Sequence, residues 1–306
     1  MPTALILGVA SQDGSYLAEF LLAKKYQVFG SVRPEGDDLH HIAGFKNRIR
    51  LISVDLSQPE SITAAIRKYH PDEFYHLAAM TVPAQSWDQA YLVGQVTGLS
   101  PVVSLEAIRK FSPHTRFFYP ASSAIYHPQN PYAAAKTYAF HMTRIYREAH
   151  HLFAVNGILF NHESPRRPVD FVTRKITSYA AAVKAKKPAT PAHLVLWNLD
   201  SQCDWGFAGD YATAMWAMLQ APVPKDYVIA TGKLHSVREV CEIAFSAVGL
   251  DWTKYVRVQP ADHPEPPDHA VAGDISAIKK DLGWSPKTSF KELITMMVLS
   301  DLALLS

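Results

Sequence analysis

The stretch Ala4-Leu-Ile-Leu-Gly-Val-Ala-Ser-Gln-Asp-Gly14 gives the main indication of the fold, because its apolar run is followed by small residues. Such a run is typical of a buried parallel strand. A helical pattern follows it, with Tyr16, Leu17 and Phe20 on one face. A turn of small residues between a strand and a helix lets the backbone approach a pyrophosphate at the helix N-terminus. The stretch therefore predicts a dinucleotide-binding turn.

Apolar runs and helical patterns alternate from this stretch to residue 160. Further strands are predicted at Gln27–Val32, Ile49–Val54, Phe74–Leu77, Arg116–Tyr119 and Phe153–Phe160. Helices are predicted at Ser57–His70, with Ser57 as the N-cap, at Ala90–Phe111 and at Tyr132–His150. This alternation predicts an α/β fold with a Rossmann-type doubly wound parallel sheet. Another parallel α/β fold is the alternative, since pattern alone does not separate the two.

Beyond residue 160, polar and proline-containing stretches predict loops. Asn161–Arg167 is polar, Lys184–Pro191 is basic, and Pro260–Asp268 has four prolines in nine residues. Because proline interrupts a helix, we expect these three stretches to be loops, surface connections or extended segments.

Composition narrows the class of protein. The chain has 306 residues, of which 48% are hydrophobic and 19% charged, as in an ordinary soluble enzyme. The net charge of +2 gives no reason to expect nucleic acid or an anionic membrane as a partner. The two cysteines and the scattered histidines form neither a disulfide framework nor a metal-ligand spacing. Without a signal peptide or a long apolar span, a cytoplasmic protein is expected.

The predicted turn supplies the first candidate cofactor-binding residues. They are Gly8, Ser11, Gln12, Asp13 and Gly14. Ser11 occupies the position of the usual middle glycine, and a serine is tolerated there if its backbone dihedrals are negative. Two glycines six positions apart are by themselves a weak signal, so the prediction depends on the strand–turn–helix context.

The end of the second predicted strand discriminates between the nicotinamide cofactors. An acid there binds the ribose hydroxyls of NAD, whereas a cation binds the 2′-phosphate of NADP. The chain has Ser31 and Arg33 and reaches its first acid only at Glu35. This favours NADP, with NAD as the alternative. The other interpretation of Arg33 is a solvated surface arginine.

Two other strand ends supply candidate cofactor-binding residues. Asp55 and Leu56 follow the third strand, where the carboxylate is placed to reach an adenine edge. Leu77, Ala78 and Ala79 end the fourth strand and are placed to line the pyrophosphate and ribose. A strand end without a ligand has the same pattern, so both assignments are hypotheses.

The segment Tyr132-Ala-Ala-Ala-Lys136 places a phenol and an ammonium on one face of a helix. A nearby cation lowers the pKa of a tyrosine, which makes the phenol a usable acid and base at a sugar hydroxyl or carbonyl. Ser122 ends the preceding strand, where its hydroxyl can share the substrate oxygen. We therefore predict Ser122, Tyr132 and Lys136 as catalytic residues, with Tyr132 and Lys136 also contacting the cofactor.

Several long stretches carry a family resemblance. They are Gln12–Leu22, Pro131–Lys136, Asn156–Arg167, Phe171–Ile176 and Asp226–Gly232. On these stretches the chain resembles the extended short-chain dehydrogenase/reductase superfamily, and within it most the GDP-mannose 4,6-dehydratase family. The resemblance implies an NADP-binding Rossmann domain over 1–160, with 203–232 contributing, and a smaller C-terminal substrate-binding domain over 161–202 and 233–306. It also implies a homodimer or homotetramer formed through the two longest predicted helices.

The same resemblance implies further site residues. His162 is expected near the nicotinamide end of the cofactor, and the pair Arg166-Arg167 near the cofactor and subunit contacts. Contacts with a nucleotide-sugar substrate are expected for Ser123, Ala124, Asn161, Val172 and Lys175.

Departures from the family pattern bear on the reaction. Ala124 stands where the dehydratases have the glutamate that removes the proton at sugar carbon 5, and an alanine cannot take a proton. The segment Ser122–Tyr126 instead resembles that of sugar 4-epimerases and 4-keto reductases. Cys203 replaces an arginine that would clamp the substrate pyrophosphate, and a second such arginine has no counterpart at His263–Asp268. The cations that could compensate, or be solvated charges, are Lys175, Arg174 and Arg257.

Three functions remain open on the sequence alone. The favoured one is NADP-dependent hydride transfer at carbon 4 of a nucleotide sugar, as a 4-epimerase or 4-keto reductase, because Ala124 removes the elimination base while the catalytic trio is kept. The second is a GDP-mannose 4,6-dehydratase whose base is another residue, for example His127 or His162. The third is an inactive homologue that binds a nucleotide sugar or cofactor.

Overall fold

The computed structural model describes residues 1–81, 86–188, 190–259 and 270–305. Its strands are β1 (Thr3–Leu7), β2 (Gln27–Val32), β3 (Ile49–Ser53), β4 (Glu73–His76), β5 (Arg116–Ser122), β6 (Ala154–Leu159), β7 (Asn161–Glu163), β8 (Leu194–Leu196), β9 (Gln202–Cys203), β10 (Trp205–Phe207), β11 (Tyr227–Ile229), β12 (His235–Ser236) and β13 (Val256–Val258). Its α-helices are α1 (Gln12–Ala23), α2 (Pro59–Tyr69), α3 (Ala90–Val93), α4 (Ser100–Phe111), α5 (Pro131–His150), α6 (Val172–Lys184), α7 (Ala208–Gln220), α8 (Val237–Ala247), α9 (Ser276–Leu282) and α10 (Phe290–Leu305). A π-helical turn, Gly94–Leu99, joins α3 to α4.

A single parallel sheet organises the first half of the chain. Across the described ranges its strands lie in the order β11, β6, β5, β4, β1, β2, β3, and each neighbouring pair is parallel. The predicted α/β class and Rossmann-type sheet are confirmed. The chain runs outward from β1 to β3 and returns to β4 on the other side of β1. This reversal creates the crevice at the carboxyl ends of the strands in which doubly wound sheets bind ligands.

Apolar residues of the strands fill the core of this sheet. Leu5 and Leu7 of β1, Phe74 of β4 and Phe117 of β5 are fully buried in one cluster with residues of α2, α4 and α5. A strand covered on both faces must be apolar throughout, which explains the uninterrupted run at Ala4–Leu7.

The chain divides into two compact units. The first comprises Met1–Leu159, Ala212–Ile229 and Ala277–Trp284; the second comprises Phe160–Tyr211, Ala230–Ser276 and Ser285–Ser306. The predicted division differs by assigning 203–232 to the first domain and 277–284 to the second. Residues 277–284 join the first unit through Trp284, whose indole Nε1 donates to Thr213 Oγ1 at 3.0 Å.

The second unit has a core of its own. Its strands pair two by two, β7 with β10, β8 with β13 and β9 with β12. The apolar faces of α6, α8 and α10 meet around Ile176, Val240, Phe245, Ile294 and Met297, which are all fully buried. In the described ranges, no helix combines the length and the hydropathy needed to cross a bilayer.

Three sequence predictions need correction. Ser57 is not the N-cap of α2, which begins at Pro59 after Gln58, because Ser57 donates its amide and hydroxyl to Asp55 Oδ1 at 2.9 and 2.7 Å. The predicted loop at Asn161–Arg167 begins instead with β7, which pairs with β10. The predicted helix over 90–111 is interrupted by the π-helical turn. The proline-rich segment Pro260–Asp268 lies outside the described residues.

Replacement of Gly157 tests how tightly the sheet is packed. A Cβ at this position would lie 2.7 Å from the ring of Phe118 and 3.1 Å from Ile229 Cδ1. We expect Gly157→Ala to lower the free energy of unfolding by about 1–3 kcal/mol through overpacking. Gly44→Ala, where a Cβ meets nothing within 4 Å, is the control and should stay within about 0.5 kcal/mol of the wild type. Urea denaturation measures both; equal effects of the two substitutions would contradict the prediction.

Candidate active site

The turn after β1 can adopt its conformation only because two of its residues are glycines. Gly8 has a φ of +82°, and a Cβ there would lie 3.0 Å from the backbone of Ala78. A Cβ on Gly14 would lie 2.1 Å from the carbonyl oxygen of Gly8. Both positions therefore exclude a side chain, as a cradle for a pyrophosphate requires.

Ser11 takes the place of the middle glycine by capping α1. Its φ is −70°, and its Oγ accepts a hydrogen bond from the amide of Gly14 at 3.1 Å. The hydroxyl donates to the carbonyl of Gly8 at 2.8 Å. Because this φ is negative, a serine is tolerated at position 11, as predicted. The N-terminus of α1 faces the turn, so the cradle fits the pyrophosphate of a dinucleotide. Gln12 and Asp13 form the first turn of α1.

Ser31 and Arg33 at the end of β2 have different environments. Ser31 is buried, and its Oγ accepts a hydrogen bond from the amide of Gly8 at 2.9 Å, so it shapes the glycine turn. The Arg33 side chain is 64% exposed and pairs with two acids: Nε with Asp37 Oδ1 at 2.6 Å and Nη1 with Glu35 Oε1 at 3.4 Å. Asp37 was not among the residues predicted from the sequence; it follows Gly36, a residue with positive φ that folds the loop back.

The other predicted cofactor residues lie at the ends of β3 and β4. Asp55 is half-buried, and its Oδ1 holds Ser57. Leu56 is half-buried and Leu77 is buried. Ala78 packs against Gly8, and Ala79 follows it half-buried. The structure therefore brings Ala78 to the glycine turn.

Local sequence signals place the start of α5 just before the predicted catalytic pair, Tyr132 and Lys136. Asn130 is the N-cap, with its side chain accepting a hydrogen bond from the amide of Ala133 at 2.9 Å, and Pro131 occupies the first helical position. Tyr132 therefore lies in the first turn, half-buried, and Lys136 lies one turn later. The Lys136 Nζ is 5.8 Å from the centroid of the Tyr132 ring. The pairing predicted from the four-residue spacing is present.

Lys136 is a buried cation. Its residue is 4% exposed, and Nζ donates to the carbonyl of Pro120 at 2.7 Å. Nζ also lies 4.9 Å from the centroid of the Tyr119 ring. Burial lowers the pKa of Lys136 to about 8, and the carboxylate of Asp13 acts in the opposite direction. Asp13 thus connects the first turn of α1 electrostatically with Lys136.

Ser122 is the last residue of β5, adjacent to a short 3-10 helix at Ser123–Tyr126. Its Oγ accepts a hydrogen bond from the amide of Ala124 at 3.2 Å. Ser123 and Ala124 are half-buried within the 3-10 helix. The methyl group of Ala124 offers neither a proton donor nor an acceptor, so this position supplies no base.

The remaining predicted substrate and cofactor residues belong to the second unit. Asn161 is exposed at the start of β7. His162 is half-buried, with Nδ1 2.7 Å from the carbonyl of Phe160 and its ring 4.9 Å from that of Tyr211. Val172 begins α6, and Lys175 is exposed one turn later. Their roles remain predictions.

Three cations were predicted as replacements for the two family arginines that this chain lacks. They differ in the partners that they already bind. Arg174 forms a buried ion pair with Asp301 and donates to the carbonyl of Pro165, so its guanidinium already has partners within the second unit. Arg257 is exposed and donates to the carbonyl of Thr253 at 3.3 Å. Lys175 has no ionic partner among the described residues. Lys175 is the better candidate on these grounds.

The two arginines of the pair at 166–167 also lie in the second unit. Arg167 pairs with the buried carboxylate of Glu163 at 3.3 Å, and its guanidinium lies 3.5 Å from the ring centroid of Phe171. These contacts hold the chain between β7 and α6. The amide of Arg166 donates to Ser164 Oγ at 3.0 Å.

Sequence comparison relates nearly the whole chain to one family. The profile of GDP-mannose 4,6 dehydratase matches residues 5–297. GDP-mannose 4,6 dehydratase 2 of Arabidopsis thaliana is 41% identical over 330 aligned positions, which cover 98% of this chain and 87% of the plant protein. The GDP-mannose 4,6 dehydratase of Homo sapiens is 36% identical and covers 99% of this chain and 92% of its own.

Solved structures show the same fold. UDP-glucose 4-epimerase of Thermotoga maritima superimposes with a TM-score of 0.87 at 17% identity, covering 99% of this chain and all of the other. RMD from Pseudomonas aeruginosa, complexed with NADPH, superimposes with a TM-score of 0.82 at 18% identity, covering 99% of both chains. At these identities the likeness extends to the fold alone.

The fold and the sequence comparisons together identify an extended short-chain dehydrogenase/reductase, of the class of enzymes that modify nucleotide sugars. Within that class, the chain belongs to the GDP-mannose 4,6-dehydratase family.

Lys136→Met tests the burial of the ammonium. The pKa of Lys136 falls from its ordinary 10.5 to about 8 in the folded protein, so the cost of burying its charge is fully present below pH 8 and is relieved as pH rises from 8 to 10.5. We expect Lys136→Met to be more stable than the wild type at pH 7, and this difference to shrink by about 2 kcal/mol at pH 9.5. Urea denaturation without cofactor at both pH values is the measurement. A difference that does not change with pH would contradict it.

Proposed function

We propose that this chain is an NADP-dependent GDP-mannose 4,6-dehydratase in which a residue other than the one at position 124 removes the proton at carbon 5. The observation that carries the proposal is the pairing of the half-buried Tyr132 with the buried Lys136 at the start of α5, in a chain 41% identical over nearly its full length to a GDP-mannose 4,6 dehydratase. The epimerase or reductase favoured by the sequence analysis becomes the second candidate, because the relatives favour the dehydratase.

Ser122, Tyr132 and Lys136 have separate roles in proton transfer at carbon 4. Tyr132 takes the hydroxyl proton as the carbon 4–oxygen bond becomes a carbonyl, and Ser122 donates a hydrogen bond to the same oxygen. Lys136 favours the ionised phenol through its charge. NADP⁺ held at the turn of Gly8 and Gly14 would supply the acceptor for the hydride of carbon 4, and the NADPH so formed would supply the donor for its return to carbon 6. Between these two transfers the base takes the carbon 5 proton and water leaves carbon 6. A proton returns to carbon 5 as the hydride reaches carbon 6.

His127 is the proposed base at carbon 5. It follows the 3-10 helix that begins beside Ser122, and its amide donates to the carbonyl of Ala124 at 3.3 Å. It is therefore anchored to the position that lacks the carboxylate. His162 is the alternative base, held through Nδ1 at the carbonyl of Phe160. Substitution of each histidine by alanine in the assay below distinguishes them.

Incubation of the purified protein with GDP-mannose in deuterium oxide tests the reaction. We expect a GDP-4-keto-6-deoxy-mannose with deuterium at carbon 5, detected by NMR, because the base exchanges its proton with solvent. Tyr132→Phe should lower the rate by about 10²–10⁴-fold. A 4-epimer formed without deuterium at carbon 5 would replace the dehydratase by the second candidate.

Restoring a carboxylate at position 124 tests the elimination step separately. We expect Ala124→Glu to raise the rate of product formation by about 10-fold or more, since a positioned general base contributes about 10²–10⁴-fold. Ala134→Glu adds the same charge to an exposed position of α5 and is the matched control, expected to leave the rate unchanged. Equal rates for the two variants would mean that removal of the carbon 5 proton is not limiting.

The second candidate function, a 4-epimerase or 4-keto reductase, is supported by Ala124 itself. Both reactions need a hydroxyl, a phenol and a cation at carbon 4, and neither needs a base at carbon 5. An inactive homologue finds less support, since the glycine cradle excludes side chains at two positions and the catalytic lysine is buried with its partners in place.

NADP is proposed as the cofactor because Arg33 is exposed at the end of β2, and an arginine there accommodates a 2′-phosphate. Its ion pairs with Asp37 and Glu35 hold the guanidinium in the loop after β2. We expect Arg33→Ala to raise the Kd for NADP about 10–100-fold and to leave the Kd for NAD within about 3-fold, the loss of one charge-assisted pair. Arg67→Ala on α2 is the control. Equal losses for the two cofactors, measured by calorimetry, would contradict the assignment.

A further inference from the structure

Pro101 explains why the helix from Ala90 to Phe111 contains a π-helical turn. Proline has no amide hydrogen and its ring clashes with the carbonyl four residues earlier. The amide of Ser100 bonds the carbonyl of Gln95, five residues back, which is the π pattern. In this pattern the amide of residue 101 would donate to the carbonyl of Val96, and proline has no amide hydrogen to donate. The turn therefore leaves the Val96 carbonyl without a backbone donor.

Side-chain hydroxyls satisfy the carbonyls of this turn. Ser100 Oγ donates to the carbonyl of Val96 at 2.6 Å, and Tyr119 Oη donates to the carbonyl of Thr97 at 3.4 Å. Because the single hydroxyl proton of Ser100 is used in this way, the contact of 3.0 Å between Ser100 Oγ and His76 Nε2 has the imidazole as donor. This fixes the proton of His76 on Nε2.

His76 lies at the end of β4 and is 1% exposed. Its Nδ1 is buried and has no hydrogen-bond partner among the described residues. Burial lowers the pKa of His76 to about 3, and the charge of Lys136 acts in the same direction. The ring is therefore neutral and adds no repulsion to the buried ammonium. Among the groups facing it, Lys136 is the cation and Ser100 the hydrogen-bond acceptor.

The π-helical turn packs directly against α5. A Cβ added to Gly98 would lie 3.5 Å from the Cβ of Ala135, the residue before Lys136. The same turn holds the chain after β4, since Thr97 Oγ1 accepts a hydrogen bond from the amide of Met80 at 3.2 Å. The height of α5 over the sheet thus depends on where this turn sits.

We propose that His76 and Ser100 are positioning residues, which anchor the π-helical turn to β4. They thereby hold α5 in the place that brings Tyr132 and Lys136 to carbon 4 of the sugar for hydride transfer. The expected loss of activity rests on the proposed function. The expected displacement of Tyr132 and Lys136 rests only on the hydrogen bonds of the first unit. A misplacement of about 1 Å at a reacting group can lower a rate about 10²-fold.

Four variants test the positioning role. Ser100→Ala removes the donor to Val96 and the acceptor of His76, His76→Leu removes the imidazole donor, and His76→Gln keeps an N–H donor. Ser104→Ala is the matched control, since Ser104 is a buried hydroxyl of the same helix that donates only to the carbonyl of Ser100 at 3.0 Å. Should His76→Leu fail to fold, Ser100→Ala against Ser104→Ala carries the test.

Two readouts separate positioning from general stability. We expect kcat for GDP-mannose to fall about 10–100-fold in Ser100→Ala and His76→Leu with KM within about 2-fold, and to stay within about 5-fold of wild type in His76→Gln and Ser104→Ala. The second readout needs no substrate: the tyrosinate absorbance that Tyr132→Phe abolishes should change its pH midpoint in Ser100→Ala and not in Ser104→Ala.

The outcomes distinguish the two proposals. If the wild type does not convert GDP-mannose but the tyrosinate midpoint moves as expected, the positioning role stands and the proposed function fails. If Ser100→Ala matches Ser104→Ala in both kcat and midpoint, the positioning role is overturned.

Discussion

The Lys136 ammonium is buried in the first unit, and the packing of that unit around α5 depends on this burial. A buried cation must be compensated by polar partners, since taking a charge out of water is expensive. Here the compensation comes from three groups on two elements: the Pro120 carbonyl and the Tyr119 ring of β5, and the carboxylate of Asp13 on α1. Each of these positions is set by the parallel sheet, because β1 and β5 place α1 and the end of β5 at the same edge.

This requirement explains why α5 is anchored at both ends. Asn130 and Pro131 fix its start, and Arg147 in its last turn binds Asp226 and the carbonyl of Ala154. Asp226 also accepts a hydrogen bond from the amide of Asn156 at 2.8 Å, so the end of α5 is tied to β6. A helix held in this way can keep a lysine in a poorly solvated place, where a loosely packed helix would let the ammonium return to water.

Sequence reasoning predicted what depends on local pattern. The strand–turn–helix order at Ala4–Gly14, the pairing of Tyr132 with Lys136 and the strand ending at Ser122 are all consequences of neighbours in sequence. Two features differ from these predictions for different reasons. Ser57 is not an N-cap because its amide and hydroxyl donate to Asp55, only two residues away. The three residues of β7 form a strand only through pairing with β10, which lies more than 40 residues further along the chain. The π-helical turn was predictable in principle, because Pro101 stands inside an otherwise helical pattern.

In the proposed dehydratase, Tyr132 and Lys136 assist oxidation at carbon 4 of GDP-mannose, and the same hydrogen returns to carbon 6. This transfer can be followed by mass spectrometry and NMR of the product formed from GDP-mannose that carries deuterium at carbon 4. We expect the deuterium at carbon 6 of the 4-keto-6-deoxy product, transferred within one molecule. Deuterium found at carbon 4 of an epimer, or unreacted substrate in the presence of bound NADP, would contradict it.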